Sequence, residues 1–131
     1  MHETLARHME HYERTMGTIP DALADLAEAS PEMFDGYSKL RRAYLRPDSE
    51  AALPLKYRHL ILLTLDCMVH NLDGALNHLQ AAMRAGLSAD EVTDAMLAFF
   101  IVGGAPAWGE YGRHVVARAR ATEQGGVQNG A

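Results

Sequence analysis

At 131 residues the chain suffices for one domain that buries roughly two-thirds of the surface its unfolded form exposes, so folding requires neither a disulfide nor a metal. Hydrophobic residues at 48% and charged residues at 22% exclude a disordered chain, and a net charge of −5 excludes the clustered cationic surface that holds nucleic acid. The N-terminus has no cationic stretch leading into an apolar core, and no apolar run approaches the roughly 20 residues that span a bilayer. The expectation is a cytoplasmic protein with no membrane partner, in which the lone Cys67 is a buried, reduced thiol.

In chain order, Leu5, Met9, Tyr12 and Met16 recur at helical spacing before Gly17, a helix stop. Pro20 opens a short Ala/Leu-rich segment to Ala29. Ser30-Pro31-Glu32 then reads as N-cap, first-turn proline and first-turn acid of a helix whose core face is Met33, Tyr37, Leu40 and Tyr44. Arg46 to Glu50 is a polar connector, after which Leu53-Pro54 starts the most apolar helix, ending near Val69 or His70. A further pattern, Leu72, Leu76, Leu79 and Met83, runs to the stop at Gly86. Ser88-Ala-Asp-Glu91 is a capping box. The helix it opens carries Val92, Met96, Phe99 and Phe100 to Gly103-Gly104, and Pro106 begins a last one through Trp108, Tyr111 and Val115.

No segment alternates long enough to form a strand, so the fold class is all-α: about six helices around a central antiparallel hairpin that breaks between Met68 and Gly74. The domain is expected over residues 1–121, with a disordered Gly/Gln/Asn-rich tail over 122–131.

Chemistry concentrates at the hairpin. On a helix advancing ~100° per residue, His59, Asp66 and His70 share one stripe of a greasy segment, with Asp66 and His70 at i,i+4. Asp73 and His78 follow on the next helix, which folds back toward that stripe. Titratable groups against an apolar wall are the setting for proton transfer. Taken singly each residue also has a structural explanation: His59 on a solvent face with Lys56 and Arg58, Asp66 as a partner for Arg58, His70 as a helix-end residue. Without H-E-x-x-H or a comparable close spacing, no metal is expected. His2, His8 and His11 read as surface residues.

The stretch Leu53-Pro-Leu-Lys-Tyr-Arg-His-Leu-Ile-Leu-Leu-Thr-Leu, the run His78-x-x-x-Ala82-x-x-x-Gly86-x-Ser88-x-x-Glu91, and Gly104-Ala-Pro-Ala resemble the carboxymuconolactone decarboxylase superfamily, which includes the alkylhydroperoxidase-D-like proteins. Gly17-Thr-Ile-Pro20 and Ser30-Pro31 extend the resemblance over nearly the whole chain. In the peroxidase branch a Glu, a C-x-x-C pair and a His four residues later form a relay and redox centre. The resemblance makes His78 the relay histidine, places Asn71 and Gly74 at the thiol positions, His59 at the Glu position, and Asp73 just before the second thiol position. Cys67 occupies neither thiol position, so thiol peroxidase activity is disfavoured. The decarboxylase branch also lacks the thiol pair, but its Arg-Glu appears here as Arg58-His59.

The resemblance therefore implies a cofactor-independent decarboxylase-like lyase acting on a small carboxylated or lactone-like metabolite. In that reading His78 and His59 exchange protons, with His70 beside them and Asp73 or Asp66 orienting a ring. Arg58 holds a carboxylate, and Asp66, Asn71 and Trp108 complete the substrate site. The alternative is a non-catalytic small-molecule-binding or assembly protein on the same scaffold. The resemblance also implies a homo-oligomer, a trimer or a hexamer, to which Phe99, Phe100, Trp108 and Tyr111 contribute interface or core.

Overall fold

Three prolines punctuate the chain where their missing N–H does no harm: Pro20 and Pro54 immediately before helices, Pro31 in the first turn of one. The computed structural model describes residues 3–130, with side chains through residue 125. Its helices are α1 Glu3–Met16, α2 Asp21–Ala29, α3 Pro31–Tyr44, α4 Leu55–Met68, α5 Leu72–Arg84, α6 Ala89–Ala107 and α7 Arg113–Gly130. A 3₁₀ turn, Asp48–Glu50, precedes α4, and a π-helical turn, Trp108–Gly112, joins α6 to α7. No strand occurs among the described residues, in agreement with an all-α class. The chain forms two compact units, Met1–Ala52 and Leu53–Ala131.

In the N-terminal unit α1, α2 and α3 enclose Tyr12, Met16, Ala27 and Phe34. Here the structure corrects two expectations. The stripe Met33, Tyr37, Leu40 and Tyr44 is exposed, by 65%, 40%, 71% and 38%, while Phe34, Ser38 and Arg41 are buried. Both sets repeat at three or four residues, so periodicity alone cannot choose between them. Partner chemistry decides: Phe34 stacks on Tyr12 at 5.7 Å between centroids, and the Tyr12 and Ser38 hydroxyls share a 2.7 Å hydrogen bond. His8 and His11, expected at the surface, are buried on the inner face of α1 with Tyr12 and Thr15; His2 lies outside the described residues.

The C-terminal unit is built on the α4–α5 hairpin. Leu63 and Cys67 from α4 and Ala75, Leu79 and Ala82 from α5 are fully buried in one cluster with Val92, Met96 and Phe99 of α6 and Val115 and Ala119 of α7. The capping box is present as read: Ser88 Oγ accepts from Glu91 N–H (3.1 Å), and Glu91 Oε1 accepts from Ser88 N–H (2.9 Å). These bonds, with Tyr57 Oη–H donating to Glu91 Oε2 at 3.0 Å, hold the Glu91 carboxyl below its ordinary range.

Gly104 breaks α6 where Gly103-Gly104 predicts a stop. Its φ of 84° and ψ of 175° suit a residue without Cβ, and Pro106 two residues on resumes the helix. The run Ala89–Gly125 contains a window long and apolar enough, by length and composition, to cross a membrane, although no such span is visible in the plain sequence. Val92, Met96 and Phe99 spend that apolarity inside the unit, whereas Leu97, Phe100, Ile101 and Val102 are exposed. The α7 helix also continues through Thr122 into the segment read as a tail, and the Glu123 carboxylate accepts from Ala89 N–H at 2.6 Å. Ala131 lies outside the described residues.

Candidate active site

A three-residue link, Val69 to Asn71, joins α4 to α5, so the two helices run back along each other and residues well before the turn meet residues well after it. His59, eleven residues before His70, meets His78, eight after it. Their Nδ1 atoms are 3.0 Å apart, with ring centroids 5.2 Å apart and planes inclined by 37°. His59 is completely buried and His78 is 8% exposed, so His78 is the ring nearer solvent.

At this distance one Nδ1 must donate and the other accept, so a single proton lies between the two facing nitrogens. The two rings thus hold complementary tautomers. A proton arriving at the far nitrogen of one ring releases that ring's Nδ1 proton to its neighbour. Such a pair can pass a proton from one ring to the other.

The other sequence-derived residues distribute differently. The α4 helix ends at Met68, and His70 lies beyond it in the left-handed region at φ 64°, so the stripe that places His70 above Asp66 on one helix does not form. The exposed His70 ring instead lies parallel to Tyr111, 5.3 Å between centroids and 4° between planes. Asp73 is exposed in the first turn of α5, where its charge complements the helix dipole. Arg58 is buried, and its Nε donates to the Leu53 carbonyl at 2.8 Å, fixing the start of α4. Trp108 packs on the core cluster and meets Phe100 edge-on at 6.0 Å, in the π-helical turn.

The two positions that resemblance assigns to thiols form a helix cap. Asn71 Oδ1 accepts from Gly74 N–H at 3.0 Å, and Asn71 Nδ2 donates to Asp66 Oδ1 at 3.5 Å. A Cβ at position 74 would lie 2.4 Å from Asn71 Nδ2 and 3.0 Å from Asp66 Oδ2, so the cap requires glycine there. Cys67 is free and fully buried, and burial with the Asp66 charge beside it pushes its thiol up to about 11. Among the described residues no three His, Cys, Asp or Glu side chains converge as a metal site would require.

Sequence reading missed the buried ionisable residues of the N-terminal unit, His8, His11 and Arg41. Their signal is there in retrospect. His8, His11, Tyr12 and Thr15 stand at i, i+3, i+4 and i+7, a helix face as regular as the apolar one.

Comparison with protein families matches residues 31–117 to the carboxymuconolactone decarboxylase family. A crystal structure of a candidate carboxymuconolactone decarboxylase from Burkholderia xenovorans LB400 superposes with a TM-score of 0.92 at 45% identity, covering 97% of this chain and 96% of that one. Comparison with curated proteins gives no match. With the family match spanning well over half of its length, the chain belongs to the carboxymuconolactone decarboxylase family.

Proposed function

We propose that the protein is a cofactor-independent, decarboxylase-like lyase in which the His59–His78 pair moves a proton on a small carboxylated or lactone-like metabolite. The observation that carries this reading is the buried 3.0 Å Nδ1–Nδ1 contact. His78, the more exposed ring, meets the substrate. When it takes a proton at Nε2 it passes its Nδ1 proton to His59, so the charge created at the reacting centre is moved one ring inward. The reverse transfer returns the proton to the product carbon or leaving oxygen. General acid–base help of this kind contributes about 10² to 10⁴ in rate.

Family membership supports the decarboxylase side of this reading, and the cap at Asn71 and Gly74 supports the absence of thiol chemistry. Self-association into a homo-oligomer belongs to the same proposal, supported by the exposed apolar residues Ile61, Leu65 and Met68 on α4, Val69 just after it, and Leu97, Ile101 and Val102 on α6.

The test is CO₂ release and ring opening by the purified protein on a panel of small lactone acids and 3-oxo acids. His78→Ala is expected to lose about 10²-fold or more in kcat while retaining its helical circular dichroism. Turnover unchanged in His78→Ala removes the assigned role. A wild-type protein that binds a panel member without converting it establishes instead the second reading, a binding protein, which the exposed placement of His70 and Asp73 favours.

A further inference from the structure

The N-terminal unit holds a second set of buried ionisable groups, and its electrostatics are one-sided. Arg41 on α3 is 7% exposed, yet no carboxylate lies within salt-bridge distance of it among the described residues. Its polar contacts are one long hydrogen bond, Nη2–H to Thr15 Oγ1 at 3.4 Å, and a seat over the Tyr12 ring at 5.3 Å; its Nε is buried with no partner. A buried guanidinium normally takes a carboxylate or phosphate on the fork of which Nε is one tine. Here Nη2 reaches only the Thr15 hydroxyl, and Nε is unpartnered.

His11 on α1 stands beside it. The ring is 4% exposed, packs edge-on against the same Tyr12 at 5.1 Å, and has a buried Nε2 with no partner, while Nδ1 lies 3.5 Å from Arg14 Nη2. Burial first, and then the positive charges of Arg41, Arg14, Arg42 and His8, push the His11 imidazolium down to about 4. Four neighbouring cationic groups act on this ring in a protein whose net charge is −5. The nearby acid, Asp35, is already engaged by His8 (2.8 Å), Lys39 (2.9 Å) and Arg7 (3.5 Å).

We infer that α1 and α3 of the N-terminal unit carry a small-oxyanion site in which the Arg41 fork and His11 Nε2 anchor a carboxylate or a tetrahedral anion, with Arg14 and Arg42 at its rim. An anion there satisfies the two orphaned nitrogens and supplies the missing counter-charge. Arg14 and Arg42, both exposed, place two further positive charges near His11. The anion favours protonated His11, so binding strengthens as pH falls through the ring's ordinary range toward its ligand-free value of about 4, by up to about tenfold per pH unit. The charged groups acting on His11 are Arg41, Arg14, Arg42 and His8, while the uncharged Tyr12 packs on its ring and Thr15 Oγ1–H donates to its carbonyl.

The probe is sulfate, ionised throughout the working range, added to the full chain while the His11 ring signals are followed by NMR, with malonate as a carboxylate arm and chloride at equal ionic strength as control. The expected result is a saturable His11 shift with sulfate or malonate, tighter at pH 5.5 than at 7.5. Whichever anion binds more tightly identifies the ligand class. Arg41→Lys should weaken binding about tenfold, and Arg41→Met should abolish it. Should Arg41→Met fail to fold, Arg14→Gln, on an exposed residue, carries the test with an expected loss of a few-fold. His11 shifts that track chloride, or sulfate binding equally tight in the Arg41 variants, overturn the assignment.

Discussion

Two pairs of buried histidines, one in each unit, show how far the neighbour decides what such a ring can do. In the C-terminal unit His59 and His78 face each other through like nitrogens 3.0 Å apart, and the contact works only with one proton between them. In the N-terminal unit each ring faces charge instead: His8 holds Asp35 at 2.8 Å, and His11 lies among arginines. A ring facing another ring can hand a proton on. A ring tied to a carboxylate is pinned, and a ring among cations is held neutral until an anion arrives. Burial and residue type are the same in both units, so only the partners separate a relay from an anchor.

The largest effect that could break this contrast is on turnover. His59→Gln keeps a hydrogen-bonding side chain of similar size but cannot pass a proton, and kcat is expected to fall about 10²-fold in steady-state assays on the converted substrate. Ser38→Ala, which removes the partner of the Tyr12 hydroxyl, should cost about 1 kcal/mol in denaturant unfolding and leave kcat alone. Equal losses of turnover from both would erase the distinction between the units.

Next in size is the hairpin cap. Gly74→Ala drives a methyl to within 2.4 Å of Asn71 Nδ2, and the cap must open to admit it. Unfolding by urea should show a loss of about 1 to 3 kcal/mol. Asn71→Ala, which removes the same cap without a clash, should lose about 1 kcal/mol. A Gly74→Ala protein as stable as the wild type would show that the cap does not hold the turn.

A smaller and more gradual effect is expected with pH. The folded state holds His11 at about 4 against an ordinary 6.5, so between those values the unfolded chain binds more protons and stability falls as pH drops from 6.5 toward 4. Asp35, held at about 2 first by His8 and then by Lys39, stabilises the fold above its ordinary 3.8 and loses that contribution as pH falls through 2. His11→Gln should flatten the first window and leave the second, as read by thermal melts across pH. Least visible of all is Cys67: with its thiol pushed up to about 11, it should resist a thiol reagent at pH 8 in the native protein and react promptly in denaturant.

Much of the helical frame was legible because caps and breakers act locally. Ser30, the Ser88/Glu91 box, Gly86 and Gly104 terminate or open helices through their own side chains or dihedrals, whatever the rest of the chain does. Orientation is not local. Hydrophobicity alone picks the wrong face of α3, because Met33, Tyr37, Leu40 and Tyr44 out-score Phe34, Ser38 and Arg41, and only the Tyr12 partner on α1 reverses the choice. That His59 and His78 meet is legible from the hairpin and the family spacing. The place of His70 is not, since it depends on α4 ending two residues earlier and turning through a positive φ. Polar faces such as His8/His11/Tyr12/Thr15 escape any reading that treats hydrophobicity as the mark of burial.

Nitrogen-15 NMR of the imidazole rings at neutral pH tests the shared proton of the hairpin pair most directly. The structure predicts one Nδ1 of the His59–His78 pair protonated and the other bare, with a scalar coupling between them across the hydrogen bond. Two rings each protonated only at Nε2, with both facing nitrogens bare and no coupling, would contradict the relay.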